Sequence, residues 1–139
     1  MNQGSVHEAL NFAGLVDNRD PASPRLMSLF PLPQPPQGKP YKNFCEKGGR
    51  FGPHNVNQEI HLPDVEKPGN LIYLTYFNAG LRAVDVADPL RPKEIGCFVP
   101  ELPDDQQAIQ SNDIGADDDG RLYLIDRWGQ GMHILEYTG

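Results

Sequence analysis

The chain has 139 residues, 38% of them hydrophobic, with 14 glycines, 14 prolines and a formal charge of -7. That length suits one domain, and so many turn formers exclude a helical bundle in favour of short strands. Net negative charge without a Lys/Arg cluster excludes a nucleic-acid groove, and no apolar run approaches the roughly 18 residues of a membrane helix.

Residues 1–10 are polar and include Glu8, unlike the basic start and apolar core of a signal peptide. A cytoplasmic protein is expected if Met1 is the natural start. Leu15-Val16-Asp17 then predicts a short strand, and Asp20-Pro21-Ala22-Ser23-Pro24 a turn. Residues 25–30 read as the next strand, stopped by a proline-rich stretch over 31–38 that predicts an extended arm without ladder bonds. Cys45 and Cys97 read as free thiols, because their separation alone gives no reason to pair them.

The best-defined unit starts near Gly52, with strands predicted over 56–62, 70–77, 81–86 and 94–99. Asn78-Ala79-Gly80 is short enough for a hairpin, and Gly80 can take a positive φ. The plan then recurs over 111–116, 121–126 and 132–137, and Asp119-Gly120 signals a primed turn between the first two. The chain is therefore divided into an N-terminal part, 1–38, whose strands and arm complete a blade; a full blade, 39–103; and a C-terminal blade, 104–139, lacking its fourth strand.

These spacings amount to an internal repeat. Asp20-Pro21-x-x-Pro24 returns 68 residues later as Asp88-Pro89-x-x-Pro92, again after a strand ending in Val-Asp, and Tyr73-Leu74 returns 50 residues later as Tyr123-Leu124. A run such as Leu81-Arg82-Ala83-Val84-Asp85-Val86 followed by Asp88-Pro89 and Pro92 resembles the LVIVD-repeat family of β-propellers. The resemblance covers roughly residues 15–30 and 48–139, and it implies an all-β fold of four-stranded antiparallel blades. Family members are usually several times longer, so one chain is expected to hold an incomplete ring and to be a short or C-terminal portion of one. Its partners would be the remaining propeller segment or further copies in a homo-oligomer. Residues 25–30 are the natural strand to finish the 132–137 sheet, in the same chain or a neighbour, because an open sheet edge invites aggregation.

Chemistry-bearing residues are sparse. Gly48-Gly49-Arg50-Phe51-Gly52-Pro53-His54-Asn55 leads into a first strand, which in a propeller lines the channel, and the aligned stretch of the last unit offers Asn112 and Asp113. Arg50, His54, Asn55, Asn112 and Asp113 are thus ligand-binding candidates, and His54 with Asp113 suits a divalent transition metal. The same residues also suit strand-end hydrogen bonding. Glu59 and His61 alternate with Asn57 on one strand face, as a metal pair or as the polar side of a half-buried strand. Asp117-Asp118-Asp119-Gly120 is a turn without the remaining ligands of a calcium loop. Arg127 and Trp128 close the second strand of the last unit, where they either pack against the next unit or present a planar donor beside a stacking surface. No phosphate loop, nucleophile elbow or Cys-x-x-Cys pair is present. The leading expectation is a module that binds a ligand or protein, and the rival is an enzyme whose polar or metal-assisted channel site draws on His54, Asp113 and Arg50.

Overall fold

A computed structural model describes residues 12–57, 69–102, 104 and 108–139. Within them the regular structure is β apart from one helical turn. Strands β1 (Gly14–Asp17) and β2 (Arg25–Leu29) form a hairpin. β3 (Leu71–Thr75), β4 (Leu81–Asp85) and β5 (Lys93–Phe98) form a middle sheet, and β6 (Ser111–Ala116), β7 (Arg121–Asp126) and β8 (Met132–Glu136) form a last one. Every pairing is antiparallel and sequential, and the sheets remain separate. No helix among the described residues is long and apolar enough to cross a membrane.

The expected first strand of the middle sheet survives as a short edge. His54 N–H donates to Thr75 O at 2.9 Å, Thr75 N–H to Asn55 O at 2.8 Å, and Asn57 N–H to Tyr73 O at 3.0 Å, with an antiparallel bridge between Val56 and Leu74. The Asn57 side chain accepts the Tyr73 N–H at 2.7 Å, where a regular ladder would use backbone. Residues 58–62 of the expected strand, with Glu59 and His61, lie outside the described residues.

The repeat is legible bond by bond. Asp20 O accepts from Ser23 N–H and its side chain from Ala22 N–H; Asp88 O accepts from Arg91 N–H and its side chain from Leu90 N–H. Asp17 receives Arg19 N–H as Asp85 receives Ala87 N–H. The register slips between Leu15 and Val16 in one hairpin and between Ala83 and Val84 in the other. These are the same positions at the same offset, so the two hairpins are copies down to their bulge. Such a turn follows from aspartate's ability to accept a backbone N–H two residues on while proline fixes φ.

The three sheets stack, because alternation along β3 sends apolar residues to both of its faces. Ile72, Leu74 and Val84 face a first core with Leu15, Phe30, Phe44 and Phe51; Tyr73, Leu81 and Ala83 face a second with Ile114, Leu122 and Leu124. Phe30 therefore packs on the middle sheet and β2 pairs with β1, correcting the expectation that 25–30 finishes the 132–137 sheet within one chain. The reason lies in the hairpin: β2 is already bonded along one edge, and its own turn fixes it there. Beyond the arm, Asn43 caps a single helical turn, α1 (Phe44–Lys47), by accepting the Glu46 N–H at 2.9 Å. This turn sets Phe44 in the first core, where Arg82, 1% exposed, lies 5.0 Å above its ring and donates to Ala79 O, Gln34 O and Glu94. Arg82 thereby fastens the proline-rich arm to the middle sheet.

The turn at Asp117–Gly120 is also corrected. A primed turn needs positive φ at its central residues, yet Asp118 and Asp119 have negative φ and only Gly120 is positive, at 82°. Gly120 N–H closes on Asp117 O at 3.1 Å, giving an ordinary turn followed by a left-handed glycine. The aspartates serve it directly: Asp117 accepts from Arg121 and Tyr123, and Asp119 from Arg121.

Candidate functional site around Phe77

Stacked copies of one unit bring equivalent residues together at the same end of neighbouring sheets. Phe77 and Arg127 follow the second strand of their units at an offset of 50, and the Arg127 guanidinium carbon lies 6.0 Å from the centre of the Phe77 ring. Asn55 stands opposite Thr75, and Asp113 opposite Ile125, which matches Thr75 at that offset. His54 and Asn112, one residue earlier in each strand, meet: His54 Nδ1 is 2.7 Å from Asn112 O. Backbone stitches the ends together, with Ser111 N–H donating to Phe77 O at 3.2 Å and Arg127 N–H to Gln110 O at 3.1 Å.

Phe77 is the hub. It is 1% exposed and carries φ of 40°, the single positive φ among described non-glycine residues. That backbone is costly for a bulky side chain and is held by Gly80 N–H donating to Phe77 O. On its ring sit the Arg50 guanidinium, 4.3 Å from the centroid, the His54 imidazole at 4.7 Å, and Arg127. The negative face of an aromatic ring attracts cations, so one buried phenylalanine gathers three basic side chains from two segments of an acidic protein. Arg50, His54 and Arg127 are themselves exposed.

His54 has a defined tautomer. A backbone carbonyl only accepts, so Nδ1 carries the proton and neutral His54 leaves Nε2 as an acceptor. Asn112 O also accepts from Thr75 Oγ1 at 2.9 Å, and Thr75 Oγ1 in turn accepts the Asn55 N–H. Asn55 thus enters through its backbone, as an organiser of the strand edge.

The remaining candidates divide. Asp113 is exposed and its Oδ1 accepts the N–H of the next residue, Ile114, at 2.9 Å. It makes no carboxylate pairing with His54 among the described residues, where no group of three or more His, Cys, Asp or Glu side chains could hold a metal ion. The expected pairing of His54 with Asp113 as metal ligands therefore lacks further ligands in the described part of the chain. Trp128 is 54% exposed, and its N–H donates to Asp126 Oδ1 at 2.6 Å, while Asp126 Oδ2 accepts from Gln110 N–H at 2.7 Å. Asp126 is buried and turned inward by these two bonds.

Sequence reasoning missed Phe77 and Lys47. Phe77 had a signal, its equivalence to Arg127. Lys47 Nζ donates to Asn78 O at 2.5 Å and lies 5.6 Å and 5.7 Å from the Tyr41 and Phe44 rings. Burial, then the nearby charges of Lys39 and Arg82, lower its pKa to about 8. A separate apolar cleft of about 190 Å³ opens between β5 and β8, lined among others by Tyr73, Cys97, Phe98, Leu135 and Tyr137. Cys45 and Cys97 are both free and exposed.

Compared with family models, curated proteins and solved structures, the chain gives no significant match in any of the three.

Proposed function

We propose that the chain is an arc of a β-propeller of the LVIVD-repeat type and acts by binding a ligand at the end of the sheets where Arg50, His54, Asn112 and Arg127 surround Phe77. One observation carries this reading: equivalent positions of successive units, His54 with Asn112 and Phe77 with Arg127, touch each other at one end. Blades around a common axis bring equivalent residues together in this way, and binding surfaces in repeat folds arise from such convergence. The copied bulge and Asp-Pro turn support the family assignment.

The test of the binding reading is chemical-shift mapping with a mixed fragment set. Perturbations are expected at His54, Asn112 and Arg127; shifts confined to the cleft between β5 and β8 would overturn the assignment of the site.

The arc has two unfinished ends. β8 matches β4 in position, yet no strand lies beyond it as β5 lies beyond β4 among the described residues, and Ile125, Met132 and Ile134 are exposed on the last sheet while Val16 and Leu26 are exposed on the first. Further copies of the chain, or the remaining segment of a propeller, would cover both. Light scattering at micromolar concentration tests self-assembly: a ring of defined mass is expected, and a persistent monomer would exclude the homo-oligomer.

A further inference from the structure

We infer that the ligand at this site is a small organic anion, its carboxylate or phosphate held by Arg127 and His54, with Trp128 offering a flat apolar surface beside it. The inference rests on the binding reading above and adds the charge and shape of the ligand.

The argument starts from charge. The chain carries -7 overall, yet Phe77 collects Arg50, His54 and Arg127 at one spot. Arg127 makes no ion pair among the described residues. Its neighbour Asp126 is committed to the N–H groups of Gln110 and Trp128, and Asp113, the exposed carboxylate close to Asn112, directs Oδ1 to Ile114 N–H. Among the described residues, these two carboxylates thus have other partners, and the exposed Arg127 carries a guanidinium fork with several N–H donors. Such a fork matches a carboxylate or phosphate by two parallel hydrogen bonds. His54 supports this in its protonated form: with Nδ1–H tied to Asn112 O, the second proton on Nε2 becomes a further donor. Beside the Arg127 guanidinium an anion is favoured over a second cation, since like charges repel.

Trp128 supplies both the flat surface and the readout. It is the only tryptophan in the chain, exposed and next to Arg127 in sequence, so its emission is a single-source probe of the chain at this end of β7. The probes are benzoate, phenyl phosphate and neutral benzamide, at fixed ionic strength. Benzoate and phenyl phosphate are expected to give saturable changes in Trp128 emission, with benzamide at least tenfold weaker. Arg127→Gln should weaken both anions at least tenfold and leave benzamide unchanged, whereas Arg91→Gln, on the distant Asp-Pro turn, should change nothing. Arg127→Lys, which keeps the charge and loses the fork, should fall between. Equal binding of benzamide and benzoate, or anion binding untouched by Arg127→Gln in a variant with wild-type melting, would sink the anion inference while leaving a ligand site in place. If no probe responds and fragment mapping also leaves His54 and Arg127 unmoved, both readings fail together.

Discussion

At Lys47 the surroundings decide a residue's chemistry. A lysine in an unfolded chain keeps its proton up to the usual 10.5, whereas folding lowers the Lys47 pKa to about 8 because burial disfavours the ammonium and Lys39 and Arg82 add like charge. Between these two values the folded side chain is neutral while the unfolded one remains charged, so the unfolded state binds more protons. Stability should therefore rise with pH from about 8 to about 10.5 on account of Lys47. Denaturant titrations across that window should find the rise in wild type and lose it in Lys47→Met. The same amine should acylate faster than Lys42 or Lys93 in competitive labelling at pH 8. Little in the sequence around Lys47 announces this, because the burial that comes first among its causes is a product of packing, and Arg82, which adds like charge with Lys39, comes from a distant strand.

The hairpins were the most legible elements and their neighbours the least. Strands 111–116 and 121–126 were read to the residue, since alternation and turn chemistry are local. The turn at Gly80 was also read correctly, with φ of 77°. Within one chain, residues 25–30 pair with β1 and not with the last sheet, because strand pairing of an apolar segment is a tertiary choice, which the pattern Leu26, Leu29, Phe30 does not encode. Two predictions follow from the observed packing. Phe30 is 8% exposed in the first core, so Phe30→Ala should cost about 3–5 kcal/mol, measurable by denaturant melts, and should leave the second core's probe, Tyr137, little changed. Gly80 and Gly131 occupy matching hairpin positions with φ of 77° and 80°. A Cβ on Gly80 would meet Phe98 O at 2.1 Å, while one on Gly131 would meet nothing within 4 Å. Gly131→Ala in the monomeric chain should cost only the left-handed backbone penalty, about 1–2 kcal/mol, and Gly80→Ala at least about twice as much because β5 must also move. The contrast depends on what covers β8: in an assembly that lays a strand there, Gly131→Ala should become as harmful as Gly80→Ala.

Across the whole molecule, stacking without closure makes stability a matter of neighbours. The middle sheet is covered on both faces and the outer sheets on one each, the arrangement in which repeat proteins hold their centre longest. Native-state hydrogen exchange should find the slowest amides at Tyr73, Leu74 and Val84 and the fastest strand amides in β1 and β8; uniform protection through all three sheets would contradict that order. At this scale the candidate site was partly legible as well. Aligning the units places Asn112 opposite His54, with Arg50 in the same segment, whereas the approach of Arg127 to the Phe77 ring is a tertiary contact that the sequence does not show.

The contact between matching positions of adjacent units has a bearing on how such a surface changes over time. Because His54 meets Asn112 and Phe77 meets Arg127 across a boundary, each unit contributes one word to a shared vocabulary while its own hairpins are specified elsewhere, by the Asp-Pro turns and the bulge. On the proposed binding reading, exchanging Arg127 for another exposed side chain would change what this end of the sheets accepts without touching any strand's register. On that same reading, recognition and folding would be inherited on separate letters of the same repeat, and a lineage carrying this unit could drift in what it binds while keeping how it folds.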